Sequence, residues 1–342
     1  MRELFSALLR ITHVGVAASV VVLLITVQPH EPPPAVRPST NFAQLAYARA
    51  TLAQNARVSG HRLPAAWESD PLIRQGLWEI SLKPYLRRRI PISDNLGNQC
   101  PAWSPAKNTV AFSYDRYWKD DSAPYPKQPE AQEGIWCVRA DGEYRRQLTH
   151  GFDDAPRWSP DSKRIVFCRH MGARNSKILL LALKDAALTT LATPSKQAYN
   201  PSWSTDGTCI LYTAGSGGRS KIWIWNVRSK RSTLLRGQPR VDCDFGRMSP
   251  DGATVLFVGG SRKTSSLFEV NLNDHTCRRL PCPDVAANEP ACWSRDGSRI
   301  AFVSYTSREA VAIKICDAHG LSLEQLSPLP GNLANNDYWP DW

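Results

Sequence analysis

The sequence predicts an all-β chain: a six-bladed β-propeller of four-stranded antiparallel blades, with an N-terminal membrane or signal helix and a short amphipathic helix. Three observations predict it. One sentence recurs around Trp103 (PAWSPAKNTVAF), Trp158 (PRWSPDSKRIVF), Trp203 (PSWSTDGTCILY), Met248 (GRMSPDGATVLF) and Trp293 (ACWSRDGSRIAF), and Pro340-Asp341-Trp342 opens it once more. These positions stand 55, 45, 45, 45 and 49 residues apart, a period that marks a propeller or an array. Each period holds four short strand-like runs, the content of one propeller blade.

Within a repeat, the first strand ends at the Trp-Ser pair. The turn after it carries Asp206-Gly207, Asp251-Gly252 or Asp296-Gly297, and glycine suits a tight reversal because it has no Cβ. The second strand is apolar: Ile165 to Phe167, Ile210 to Tyr212, Val255 to Phe257, Ile300 to Phe302. The third begins near Ile135, Ile178, Ile222, Leu267 and Ile313, with alternation in Leu267-Phe268-Glu269-Val270-Asn271-Leu272. The fourth is short and basic, as in Arg145-Arg146-Gln147-Leu148-Thr149, and its charge guards an outer edge against pairing. The repeated tryptophans are expected to fill the space between blades rather than to stack on a ligand.

The sentence PxWSPDGxxIAF, continued by Gly134-Ile135-Trp136, Asp141-Gly142 and Arg146-Gln147-Leu148-Thr149, resembles the TolB-type β-propeller repeat over roughly residues 76–342. The resemblance implies binding of a partner on a propeller face. The chain departs from the pattern at Met248, which replaces a tryptophan, and at Ala106-Lys107, which replaces Asp-Gly. About 75 residues precede the repeats, too few for the α/β domain that TolB carries in front.

Residues 1–27 are expected to be a signal anchor or signal peptide. Arg2 and Arg10 precede an uncharged apolar run, and Ile11 to Val27 gives 17 residues, at the short limit of a span. The charge bias places the propeller on the far side of the membrane. Residues 28–40 (QPHEPPPAVRPST) read as a proline-rich linker. Residues 41–75 form a helical extension, with Phe42, Leu45, Ala46, Leu52, Ala53 and Ala56 at helical spacing and Arg49 interrupting the stripe. Residues 76–342 are the propeller. Leu77 to Leu82 reads as a third strand and Arg89 to Ile92 as a fourth, so the last blade joins both ends of the chain; its second strand comes from 58–67 or is missing.

The first repeat is ten residues longer than the period of 45. The surplus falls at 114–134, a loop with Tyr114, Tyr117, Trp118 and Tyr125, and long loops on rigid scaffolds often carry function. A second polar constellation recurs in register. Five residues before each tryptophan position stand Asn98, Asp153, Ala198, Cys243, Asn288 and Asp337; four before stand Gln99, Asp154, Tyr199, Asp244, Glu289 and Tyr338. Of these, Asn98, Asp153, Asp154, Tyr199, Asp244, Asn288, Glu289, Asp337 and Tyr338 are the expected binding ring at one mouth of the central channel. Such a ring would dock a cation or a basic peptide end on a chain of net charge +11. The competing reading is that Asn and Asp simply make interblade turns.

No catalytic residues are assigned, because GxSxG, HExxH and a phosphate-cradling glycine loop are all missing. The seven histidines share no repeat position and no ligand spacing, so neither a metal nor another cofactor is expected. Nine cysteines leave at least one thiol free; most fall in strands, where they pack as small hydrophobes, and Cys277–Cys282 is the expected bridge. The function read from all this is a non-catalytic, monomeric envelope propeller. It is membrane-anchored or periplasmic, binds a protein or peptide through one face, and takes no nucleic acid. The alternative is a stand-alone lyase or hydrolase on a carbohydrate, using acidic residues at the channel mouth.

Overall fold

The computed structural model describes residues 44–51, 76–82, 85–89, 98–106, 108–114, 132–139, 141–172, 175–215, 220–261, 264–287, 289–305, 311–325 and 335–341. All lie in the compact unit spanning residues 42–342. The chain begins with β1 (Gln44–Thr51), β2 (Gly76–Leu82) and β3 (Tyr85–Arg89). Five blades follow, each contiguous in sequence. The first is β4 (Asn98–Trp103), β5 (Thr109–Tyr114), β6 (Gly134–Arg139) and β7 (Arg146–Gln147). The second is β8 (Asp153–Trp158), β9 (Arg164–His170), β10 (Ser176–Ala182) and β11 (Leu188–Thr190). The third is β12 (Ala198–Trp203), β13 (Cys209–Ala214), β14 (Lys221–Asn226) and β15 (Arg231–Leu234). The fourth is β16 (Cys243–Met248), β17 (Thr254–Ser261), β18 (Thr264–Asn271) and β19 (Cys277–Arg279). The fifth is β20 (Ala291–Trp293), β21 (Arg299–Tyr305), β22 (Val311–Asp317) and β23 (Glu324–Gln325). Strand order within each blade follows chain order, all antiparallel, and the first strands of successive blades touch one another, so they are the inner ones.

The expected fold needs correcting in two respects. Five blades are defined through their core side chains, against the six expected. The four remaining strands form a sheet ordered β24-β1-β2-β3, with β24 (Asn335–Asp341), followed here by backbone pairing alone. And no helix occurs among the described residues. The stretch expected as an amphipathic helix contains β1, paired antiparallel to both β2 and β24. Its sequence QLAYARAT alternates alanine with larger residues at period two, and Arg49 falls on that alternation as readily as it breaks a helical stripe. Two partner edges outweigh alanine's helix propensity. The membrane or signal helix at 1–27, the linker at 28–40 and the candidate strand at 58–67 lie outside the described residues. No helix among the described residues is long and apolar enough to cross a membrane.

The repeated sentence is written into the core. Its last letter gives Phe112, Phe167, Tyr212, Phe257 and Phe302, the five largest wholly buried side chains among the described residues. Each sits mid-strand in the second strand of its blade, where burial on both faces is worth about 2–3 kcal/mol per aromatic. The tryptophans join blades: Trp158 Nε1 donates to the Ala102 carbonyl at 3.1 Å, and Trp203 Nε1 to the Arg157 carbonyl at 3.2 Å. In blades two to five the turn after the tryptophan position is closed by serine and aspartate. Ser159, Ser204, Ser249 and Ser294 donate to Asp161, Asp206, Asp251 and Asp296 at 2.5, 2.6, 2.5 and 2.6 Å. The serine hydrogen bond holds each of these carboxyls below its usual value. In the first blade, where Ala106 stands, Ser104 donates to Asn108 at 3.0 Å instead.

Candidate functional site

The inner strands share a kink. Pairing in β4, β8, β12 and β16 slips between the residues four and one before the tryptophan position, which marks a β-bulge. The residue at its centre is left-handed in all four blades: Cys100 (φ 51), Ala155 (φ 49), Asn200 (φ 51) and Phe245 (φ 58). Non-glycine residues there cost about 1–2 kcal/mol each, a strain the packed ring sustains. The fifth blade carries Pro290 at this position, and proline's ring fixes φ near −65°. Accordingly β20 is only three residues long and pairs without a slip.

The bulge sets the residues five and four before the tryptophan at the start of each inner strand. Asp153 is buried and paired with Arg169, whose Nε and Nη2 reach its two oxygens at 2.6 and 2.7 Å. That bidentate contact raises the arginine above its usual value. Asp244 is buried too. Its Oδ1 accepts from Asn200 Nδ2 at 2.8 Å, Thr213 Oγ1 at 2.6 Å and the Phe245 amide at 2.7 Å, so it braces blade three against blade four. Burial nonetheless raises its carboxyl above the ordinary range. Asp153 and Asp244 therefore act within the protein. Tyr199 is half-buried against the core shared by blades two and three, and burial together with Asp244 raises its phenol. Glu289 is half-buried but lies outside any strand, because Pro290 ends β20 early. Asn98 opens β4 opposite Tyr114, while Asp337 and Tyr338 lie in β24 opposite Arg49 and Ala48; only their backbones are described. Asn288 falls outside the described residues, as do Tyr117, Trp118 and Tyr125 of the long loop. Tyr114 ends β5 and is buried.

Asp154 differs from the rest. Its Oδ2 meets His170 Nε2 at 2.8 Å, while its Oδ1 is buried with no hydrogen-bond partner. Three residues on, Arg157 is 6% exposed; its Nη1 donates to the Pro156 and Pro101 carbonyls at 2.8 and 3.3 Å, but its Nε and Nη2 have no partner. Cys168 adds its sulfur 3.8 Å from His170 Nε2, so Asp154, Cys168 and His170 converge. Sequence reasoning missed this trio because it sought spacing among histidines, and the partners of His170 lie two residues back and across the sheet. The signal was there: Cys168 and His170 stand two apart on an apolar strand, hence on one face. The expected Cys277–Cys282 bridge is not formed. All nine cysteines are free thiols; Cys277 is exposed on β19, and Cys282 faces Cys316 with sulfurs 3.5 Å apart. A fourth strand turns its residues away from the blade interior, which is where Cys282 packs.

The PD40 family, described as the TolB beta propeller domain, matches residues 82–292, more than half of the chain. Among solved structures, TolB from Acinetobacter baumannii is similar with a TM-score of 0.68 at 16% identity, covering 88% of this chain and 66% of that one. The putative TolB from Agrobacterium tumefaciens is similar with a TM-score of 0.55 at 15% identity, covering 86% of this chain and 97% of that one. At such identities the likeness is one of fold, and the chain spans just under two thirds of the A. baumannii protein. With its repeats, its five blades and this match together, the chain belongs to the TolB beta propeller domain family.

Proposed function

We propose that this propeller is a non-catalytic binding protein that takes an extended segment of a protein partner at the channel mouth, against the inner strand of blade two. One observation carries the reading: β8 holds a buried carboxylate oxygen (Asp154 Oδ1) and two buried guanidinium nitrogens (Arg157 Nε and Nη2) without protein partners. Buried polar groups are normally paired, and an unmade bond costs about 1–3 kcal/mol. A peptide chain offers donors and acceptors together, so it can meet an open carboxylate and an open guanidinium at once. A basic end on that peptide suits the carboxylates of Asp154 and Glu289. Membership of the TolB propeller family supports a protein partner, and the apolar run at 14–27 supports a setting anchored to a membrane or free in the periplasm.

The test is cross-linking and affinity capture from envelope extracts with the wild type and with an Asp154→Asn/Arg157→Gln variant, both checked for an unchanged melting profile. A partner retained by the wild type and weakened about tenfold or more by the double change supports the reading, given that loss of a buried polar contact costs about 1–3 kcal/mol. Equal retention of every partner by both proteins would sink it. Deleting 115–130 in parallel separates a contribution of the long loop.

A further inference from the structure

The trio on blade two has the makings of a metal centre. Asp154 lies directly across the β8–β9 pair from Cys168, and His170 follows two residues later on the same face of β9. One donor atom from each lies within 4.8 Å of the others. His170 Nε2 is 2.8 Å from Asp154 Oδ2 and 3.8 Å from Cys168 Sγ. Ligands held at about 2.0–2.3 Å from a tetrahedral zinc ion stand roughly 3.3–3.7 Å apart, so these separations bracket the requirement. We propose that Asp154, Cys168 and His170 form a binding site for a divalent transition-metal ion of borderline softness, zinc foremost.

The donor set argues for that class. Sulfur and imidazole are poor partners for calcium or magnesium, which take six or more oxygens, and good ones for zinc and its neighbours. Thiolate and carboxylate together neutralise a divalent charge. An independent observation points the same way: Asp154 Oδ1 is buried and lacks a partner, and a buried carboxylate without a donor calls for a cation. Cys168 is wholly buried, while the side chains of His170 and Asp154 are 25% and 15% exposed. Binding takes the thiolate and the neutral imidazole, so loading releases protons to solvent, and three protein ligands leave the fourth position to water.

This site does not depend on partner docking, because it is read out on the protein alone. The full chain, reduced and stripped with a chelator, is titrated with cobalt(II). The expected result is one equivalent bound, with a thiolate-to-cobalt charge-transfer absorption that zinc abolishes by displacement. Cys168→Ser should remove that absorption, and His170→Ala should weaken binding at least tenfold, while Cys137→Ser on blade one leaves both unchanged. Zinc should also raise the melting temperature of the wild type and not that of Cys168→Ser, since binding to the folded form alone stabilises it. Absence of a charge-transfer band in the wild type, or a band of undiminished strength in Cys168→Ser, overturns the proposal.

Discussion

Asp154 and Asp244 occupy the same place in their repeats, four residues before the tryptophan position, and have opposite fates. Asp244 on blade four gathers three donors on one oxygen: Asn200 and Thr213 from blade three, and the Phe245 amide. Asp154 on blade two gathers only His170, on its other oxygen. The difference lies in the preceding blade. Where blade three supplies Asn200 and Thr213, blade one supplies Cys100 and Ser113 at the matching positions of β4 and β5. Changing one amide to a thiol removes the donor and leaves the carboxylate oxygen open. One bulge thus yields a brace between two blades and, on blade two, a corner with an open carboxylate oxygen.

The largest effect that tests this contrast is on stability. Asp244→Ala strands three buried donors and is expected to cost about 3 kcal/mol in urea denaturation, at 1–3 kcal/mol per unsatisfied group with partial relaxation. Asp154→Ala, which takes one partner from His170, is expected to cost about 1 kcal/mol or less. Similar losses in the two variants would dissolve the distinction between brace and corner.

A smaller effect sets Asp244 against Asp251, both on blade four. Burial raises the Asp244 carboxyl above 3.8. Its folded form therefore holds a proton that the unfolded chain has released, so its contribution to stability is present below 3.8 and lost as pH rises through the raised value. For Asp251 the Ser249 hydroxyl, then the Ala253 amide, lowers the carboxyl below 3.8. Its contribution is present above 3.8 and lost as pH falls through the lowered value. On acidification the wild type should gain stability relative to Asp244→Asn and lose it relative to Asp251→Asn. Slopes of the same sign in the two urea series would show that burial does not govern Asp244.

What the sequence revealed follows the same division. The repeat announced the blades, the interblade tryptophans and the Asp-Gly turns, because they rest on contacts that recur: an indole N–H to the previous blade at Trp158 and Trp203, and a serine hydroxyl to an aspartate in blades two to five. The ring positions were also visible by register. Their roles were not, because role depends on residues distant in sequence on neighbouring strands, such as Arg169 for Asp153, Asn200 for Asp244 or Cys100 for Asp154. The strand at 44–51 escaped for a related reason. Its alanines favour a helix locally, and only the partners Gly76–Leu82 and Asn335–Asp341 decide otherwise. Proline at 290 was legible as a residue but not as a consequence, since the left-handed turn it forbids became evident only from the other four inner strands.

The smallest expected effect is also the sharpest, because it tries to convert one region into the other. Cys100 and Asn200 share the bulge position and the same backbone angle, φ 51. Asparagine tolerates that angle better than most residues, so Cys100→Asn should relieve strain rather than add it. Its amide would stand toward Asp154 as that of Asn200 stands toward Asp244, giving the open oxygen a donor. A buried hydrogen bond of this kind is worth about 1 kcal/mol net, and to a charged acceptor somewhat more. The variant is therefore expected to be more stable than the wild type by about 1–2 kcal/mol in urea, against the usual trend of core substitutions. The extra gain should vanish in an Asp154→Ala background, where the acceptor is gone, and that double-mutant cycle isolates the new bond from the relief of strain. If Cys100→Asn is no more stable than the wild type, or if its gain survives the loss of Asp154, then the missing amide is not what separates the corner on blade two from the brace on blade four.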